Sequence, residues 1–221
     1  EYQFCQIRSL LILTGEAVFA IGNPHKQNFS MSEGVISNTK RKEEIDYIGT
    51  TENETTFVYN STATINEGNS GGPLFNSKGE VIAINTMYPV NTTKKEYRNF
   101  NYSIPARHFV EVADYIISKG NNTYKRAYLD LSGFSISDKT TEERAALTQV
   151  LSGVFVTNSN YLPISEEKTV IIGIGDVVVR TLEDLEYELF TKYGKATTVQ
   201  LTIIDKNGIG ETTVTVPLLK K

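Results

Sequence analysis

Thr64-Ile65-Asn66-Glu67-Gly68-Asn69-Ser70-Gly71-Gly72-Pro73 is the stretch that decides the reading of this chain. Ser70 sits between Asn69 and a Gly-Gly pair, ahead of Pro73 and the apolar Leu74-Phe75. Glycines on both sides let a backbone fold tightly round a hydroxyl and bring its amides near a bound carbonyl. A serine hydroxyl has little basicity of its own, so nucleophilic use also requires a base, normally a histidine held by a carboxylate. A Gly-rich turn between two strands fits the same ten residues, and only their surroundings can separate the two readings.

Outward from this stretch the pattern is one of short strands. Leu74-Phe75 and Val81-Ile82-Ala83-Ile84 flank Asn76-Ser77-Lys78-Gly79, a hairpin-turn sequence. Upstream, Glu16–Gly22 is a compact apolar run closed by Gly22-Asn23-Pro24, followed by Gly34–Ser37 and Phe57–Tyr59. Downstream, Phe100–Ile104 alternates apolar and polar residues. So many short strands predict a barrel or sandwich. A helix is then expected from Pro105 in its first turn, with Phe109, Val112, Ile116 and Ile117 as one apolar stripe and Gly120 as a left-handed cap. The polar break at Gly120-Asn121-Asn122 is the expected domain boundary, dividing the chain into residues 1–120 and 124–218.

The second half is mixed. Strands are expected around Tyr128–Leu131, Gly153–Thr157 and Val170–Ile174, with a turn at Gly175-Asp176. Thr181 is placed to cap a helix bearing Leu182, Leu185, Leu189 and Phe190 on one face. Two last strands, Thr198–Ile204 and Glu211–Leu218, are joined through Asp205-Lys206-Asn207-Gly208. That run lacks the downstream glutamate of a calcium loop and reads as a turn.

Composition narrows the function classes. The chain has 221 residues, 39% hydrophobic and 22% charged, ordinary for a globular protein. A net charge of -4 leaves no basic excess for a general nucleic-acid binder. Cys5 is the single cysteine, so no internal disulfide forms. Leu10–Leu13 is far too short to span a bilayer. The chain opens on Glu1 with no basic leader, which reads as an interior start. Neither His25 nor His108 has a partner at metal-ligand spacing, and no phosphate-cradling glycine loop opens a helix, so no metal and no cofactor are expected.

Three stretches in order, Ala20-Ile21-Gly22-Asn23-Pro24, Ser32-Glu33-Gly34-Val35-Ile36-Ser37, and Ile65–Asn85 with its Gly68–Pro73 core, resemble trypsin-like proteases of the HtrA (DegP) class. Tyr102-Ser103-Ile104-Pro105-Ala106 resembles the close of that protease domain. The second half is similar to the PDZ domain that follows it in the family: Tyr128-Leu129-Asp130-Leu131 stands at the peptide-carboxylate loop, and Ile171–Val179 running into Thr181–Leu185 matches a strand, hairpin and helix. The resemblance implies a mainly β chain, the six-stranded C-terminal barrel of a trypsin-like protease over residues 1–120, then an α+β PDZ-like domain over 124–218.

Residue by residue, the resemblance makes Ser70 the nucleophile and gives the oxyanion hole to Gly68 and Ser70, with Asn69 shaping the loop. Thr64 and Ile65 would lie at the base of the specificity pocket, where the lack of charge favours small or aliphatic side chains. Asn69 replaces the aspartate that pairs with a new N-terminus in digestive relatives, so activation by that ion pair is not expected. The family's histidine and aspartate lie on a first barrel that precedes the Ala20–Pro24 stretch, and only a short lead is present here. His25, His108, Asp46, Asp114 and Asp130 do not match them. The expectation is a serine endopeptidase of HtrA type, cutting unfolded or damaged proteins, of which this chain holds nucleophile and oxyanion loop and is inactive alone. The alternatives are a non-catalytic pseudoprotease, acting as a PDZ peptide-binding or scaffold module, and an unrelated β-rich structural protein. Partners implied are unfolded polypeptides and peptide C-termini, with homo-oligomerisation also expected, and the compartment implied is extracytoplasmic, periplasmic or cell-envelope. In the PDZ-like half, residues 159–169 look too short for the family's Gly-rich segment and short helix. Asp130 replaces a glycine that can take positive φ, and its charge opposes a peptide carboxylate, so weak C-terminal peptide binding is expected.

Overall fold

The computed structural model describes residues 5–8, 12–23, 29–46, 53–86, 101–120, 124–162 and 169–220. The chain divides into two compact units, Glu1–Tyr124 and Lys125–Lys221.

In the first unit β1 (Ala17–Gly22), β2 (Ser30–Asp46), β3 (Asn53–Ser61), β4 (Pro73–Asn76), β5 (Val81–Thr86) and β6 (Asn101–Pro105) close into a barrel of order β1-β2-β3-β6-β5-β4, every neighbour antiparallel. Period-2 alternation fills it: Val18 and Ala20 of β1, Ile36 of β2, Tyr59 of β3, Leu74 of β4 and Ile82 of β5 make one buried cluster. The turn after β4 forms as its sequence predicts, Asn76 Oδ1 accepting from the amides of Lys78 and Glu80 at 3.0 Å each. Closure matters for the site, because it fixes β4, β1 and β5 around the loop that carries Ser70.

Helix α1 (Ala106–Lys119) follows β6 directly. Pro105 is its N-cap, one position before the first turn expected for it, and Gly120 caps the C-terminus at φ 67, its amide donating to Ile116 O. The expected stripe is only partly right. Phe109 and Val112 are half-buried, but Ile117 is 82% exposed. Ile116 is exposed as well, at 40%, so the stripe is seated only through its N-terminal half. The break expected at residues 121–123 lies outside the described residues. Tyr124, where the second domain was expected to begin, belongs to the first unit: its hydroxyl donates to Glu111 Oε1 at 2.7 Å and its ring meets Tyr115 edge-on at 5.3 Å.

The second unit is a twisted antiparallel sheet, in order β13 (Thr212–Pro217), β12 (Thr198–Asp205), β10 (Thr169–Ile174), β9 (Val154–Ser159) and β8 (Leu131–Ser135), with β11 (Val177–Val178) beside β10. A two-stranded sheet joins β7 (Ala127–Tyr128) to β14 (Leu219–Lys220). On one face Val154, Val156, Ile171 and Leu201 pack with Leu185 and Leu189 of α3 (Leu182–Lys192). On the other Phe155 and Val170 meet Ile136, with Phe134 stacked on Phe155 at 5.3 Å. Thr181 caps α3 as expected, in a full capping box with Asp184. In the final turn Asp205 Oδ1 accepts from Asn207 and Ile209, both at 2.8 Å, so its carboxylate serves the backbone.

Sequence reading missed one helix, α2 (Thr141–Leu147), which stands between β8 and β9 and not in the 159–169 interval where a short helix was sought. Its signal was Thr140-Thr141-Glu142-Glu143: the Thr140 amide donates to Glu143 Oε2 at 2.9 Å and the Glu143 amide to Thr140 Oγ1 at 3.3 Å. The Thr140 backbone bond, then its side chain, then Lys139 hold the Glu143 carboxyl below its ordinary value of 4.5. A carboxyl depressed in the folded state stabilises α2 above its unfolded pKa and ceases to do so as pH falls through the folded one. The Thr140 amide resonance is therefore expected to titrate with a midpoint below 4.5. A midpoint at or above 4.5, or no titration, would contradict the reciprocal cap.

Candidate active site

The loop from Thr62 to Gly72 joins β3 to β4 and is tied to the barrel at both ends. At its start Thr64 O accepts from Ser32 Oγ at 2.7 Å and from Asn69 Nδ2 at 3.4 Å. The Ile65 amide donates to Asn101 Oδ1 at 2.9 Å, and Asn101 Nδ2 donates to Ser61 O. At its end the Gly71 amide donates to Asn85 O at 2.9 Å and the Asn85 amide to Gly72 O at 2.8 Å. Asn85, 1% exposed, also donates from Nδ2 to Pro73 O at 2.9 Å and accepts from Ser103 Oγ at 3.0 Å. Between these anchors the Asn69 amide donates to Asn66 O at 2.9 Å, the Gly72 amide to Asn69 O at 3.0 Å, and the Asn23 amide to Gly68 O at 3.1 Å.

Ser70 is exposed at the crest. Gly68 at φ 102 and Gly71 at φ 82 bracket it, both in the region where a Cβ is strained. The turn reading and the nucleophile reading thus meet in one object: a tight turn, pinned from below, that holds a hydroxyl outward. Asn69 turns the other way and is 4% exposed. It lies against Gly22, the last residue of β1. A Cβ on Gly22 would overlap Asn69 Oδ1 and reach 2.7 Å from its Cα. Gly22, Asn85 and Ser103 are the supports that sequence reading did not single out. Their signals were a glycine closing an apolar strand and an asparagine ending the run Val81–Ile84.

Thr64 is exposed and Ile65 half-buried against the barrel core. Both border a cavity of ≈ 600 Å³ whose described lining comes from β2, β3, β6 and this loop. Of the two histidines, His108 stands in the first turn of α1, and His25 lies outside the described residues. Among the described residues no cluster of three or more His, Cys, Asp or Glu is arranged to hold a metal. Nor is any described helix long and apolar enough to cross a membrane.

In the second unit the residues matched to a carboxylate loop are divided between structures. Tyr128 pairs with Leu219 in β7, Leu129 and Leu131 pack against the core, and Leu131 opens β8. The Leu131 amide donates back to Leu129 O at 3.1 Å. Asp130 Oδ2 accepts from Asn160 Nδ2 at 2.6 Å and Asp130 O from Ser159 Oγ at 3.2 Å. Asp130 is not in the positive-φ region, so the backbone cost expected for replacing glycine does not arise.

Comparison with known proteins gives the same direction. Residues 2–84 match the model of the trypsin-like peptidase domain. The chain is 37% identical over 110 residues to the serine protease Do-like HtrB of Bacillus subtilis, covering 48% of this chain and 23% of that protein. It is 35% identical over 105 residues to the serine endoprotease DegS of Haemophilus influenzae, covering 48% and 28%. The chain thus spans about a quarter of the length of these relatives. Among solved structures, the HtrA-type protease AlgW with a tripeptide aligns at TM-score 0.59 and 23% identity, over 98% of this chain and 69% of that one. AlgW with a decapeptide aligns at 0.58 and 24%, over 98% and 64%. Family model, relatives and barrel point the same way: the first unit has a trypsin-like peptidase fold, and the chain is similar in sequence to HtrA-type serine proteases.

Proposed function

We propose that Ser70 is the nucleophile of a serine endopeptidase, that the amides of Gly68 and Ser70 receive the oxyanion, and that the chain needs a base it does not itself provide. The observation that carries this is the exposed Ser70 hydroxyl between two positive-φ glycines, on a loop pinned to a closed barrel. Such pinning pre-orients amide donors, and one such donor is worth about 100- to 1000-fold in rate. In the reaction Ser70 Oγ attacks the scissile carbonyl, the carbonyl oxygen takes up negative charge against the two amides, and the Ser70 proton passes to the base. His108 rides on α1 after β6, a different element from the Ser70 loop, and no family motif matches it.

Relatives named as serine proteases, and AlgW described with bound peptides, support polypeptides as substrates. Unfolded chains suit a site on an exposed loop, because only an extended segment can lie across it. The name of a similar Marinomonas protein, a probable periplasmic DegP-like endoprotease, supports an extracytoplasmic location. A peptidyl boronic acid is expected to form a tetrahedral adduct on Ser70, seen by boron NMR and absent in Ser70→Ala. No adduct on the unaltered chain would sink the nucleophile assignment. Robust fluorophosphonate labelling, lost in Ser70→Ala, would instead show that a base is present and overturn the claim that residues 1–221 are inactive alone.

The second unit is read as a PDZ-like module with weak affinity for peptide C-termini. Its β8 ends the described sheet beside α3, which leaves room for an added strand. The Leu131 amide, however, is engaged by Leu129 O, and the Asp130 carboxylate stands next to it. Hydrophobic C-terminal peptides are expected to bind more weakly than about 100 µM. Asp130→Gly is expected to tighten binding roughly fivefold, as removal of about 1 kcal/mol of like-charge repulsion in water would do. Low-micromolar binding by the unaltered chain in a calorimetric titration would contradict this.

A further inference from the structure

The sheet of the second unit has two outer strands, β8 beside α3 and β13 at the far side. β13 reads Thr-Thr-Val-Thr-Val-Pro, without a charge. Its ladder with β12 runs unbroken from Ile203↔Thr212 to Thr198↔Pro217, whereas β10–β12 and β8–β9 each shift register once. Lysines, bulges and covering elements are the usual guards of an open edge, and β13 has none of them among the described residues. The phase of the ladder tells which backbone groups look outward. The Leu218 amide donates to Thr197 O at 2.8 Å, and hydrogen-bonded pairs alternate along an antiparallel ladder. Val216, Val214 and Thr212 therefore bond to β12, while Thr213 and Thr215 turn their N–H and C=O away from it. The Gly175 amide agrees, donating at 2.9 Å to the carbonyl of Gln200, the residue opposite Thr215. Both threonines are exposed, and among the described residues no hydrogen bond reaches the amide or carbonyl of either.

Such an edge is completed by another strand, and its own sequence says which one fits. Thr213-Val214-Thr215 reads the same in both directions, so a two-fold axis through Val214 sets Thr213 of each copy against Thr215 of the other. Every outward threonine N–H then meets an outward C=O, and the paired threonines lie side by side on the exposed face. On the opposite face Val214, partly buried against the core, meets its own copy in the closer, non-hydrogen-bonded pairing. Neighbouring registers fit less well. An axis through Thr215 sets Thr213 against Pro217, which has no N–H, and an axis through Thr213 calls on Glu211, outside the strand. An unrelated extended chain meets the same backbone groups without this matching of side chains, so a second copy is the favoured occupant.

We propose that β13 is the contact of a two-fold homodimer, in which the sheets of two second units join edge to edge. Such a contact is isologous and closes at two copies. It uses nothing of the Ser70 loop, so its test is separate from that of the peptidase reading. A short contact belongs at the weak end, and half-association is expected near about 100 µM chain. The whole chain is followed by amide hydrogen exchange and by sedimentation equilibrium, roughly tenfold below and tenfold above that concentration. The Thr213 and Thr215 amides are expected to exchange about fivefold more slowly in the concentrated sample, as the dimer fraction dictates. Val214 and Val216, already bonded to β12, are expected to change little. The mass is expected to rise toward twice the 24.6 kDa of the chain. Thr213→Lys with Thr215→Lys sets lysine against lysine at both pairs and is expected to weaken association about tenfold. Thr213→Lys with Thr215→Glu sets opposite charges in the same places and is expected to restore it. Exchange at Thr213 and Thr215 that ignores concentration would overturn the proposal, as would equal association of the two double variants. So would their protection in the dilute chain by an unfolded polypeptide such as reduced, carboxymethylated lactalbumin, which would make the edge a site for client strands. The exchange comparison on the unaltered chain stands should either variant fail to fold.

Discussion

Ser70→Ala is expected to leave casein hydrolysis by residues 1–221 unchanged at background. The same substitution is expected to cost about 10⁵- to 10⁶-fold when these residues are joined to a barrel that carries a histidine and an aspartate. The contrast follows from how a triad works. The hydroxyl becomes a nucleophile only while a base removes its proton, so removing either member removes the same step. A serine in an oxyanion loop without its base keeps about 10³-fold over water, which is below detection against unfolded protein substrates. Two of the chain's residues are histidines, and neither lies on the Ser70 loop or matches the resemblance that identifies Ser70. Turnover of casein by the isolated chain, abolished in Ser70→Ala, would overturn the contrast. Its loss in His25→Ala or His108→Ala would then name the base.

The second large effect is expected at a residue with no chemistry of its own. Gly22→Ala is expected to destabilise the first unit by about 1–3 kcal/mol, the usual cost of forcing extra atoms into a packed interior. That corresponds to a drop of roughly 5–10 °C in the unfolding midpoint. The added methyl meets Asn69 at both its side chain and its Cα, and Asn69 is held by Asn66 and Thr64, so it cannot withdraw without moving the loop. The boronate adduct on Ser70 should therefore weaken in step with stability. A Gly22→Ala protein that melts as the unaltered chain does, and binds the boronate equally, would mean that the loop is not seated on β1.

Much of the first unit was legible because its determinants are local. The compact apolar runs in Ala17–Gly22 and Val81–Thr86 mark strands that feed a core, and the hairpin at Asn76–Gly79 follows from a side chain bonding its own backbone. The Gly120 and Thr181 caps were readable for the same reason. The errors lie where a tertiary contact chose among locally equivalent options. Ile117 and Phe109 are alike as helix residues, and only the shallow seat of α1 separates them. Asp130 was expected to bear backbone cost, but the bonds from Ser159 and Asn160 hold it in an ordinary conformation. Helix α2 was written plainly in Thr140–Glu143 and was overlooked for want of a long apolar stripe.

By itself the sequence singled out Ser70 as the candidate nucleophile, the glycines that a turn around it demands, and the strand-rich character of both halves. These are properties of a few consecutive residues and their allowed backbone angles. Only the tertiary structure decided what the loop rests on and what it borders. Gly22, Asn85 and Ser103 lie between 15 and 48 positions from Ser70, and barrel closure brings β1, β5 and β6 beneath one turn. The polar cavity has the same origin: strand pairing brings Ser37, Asn38 and Arg41 of β2 and Asn101 of β6 beside the end of β3 and the start of the loop.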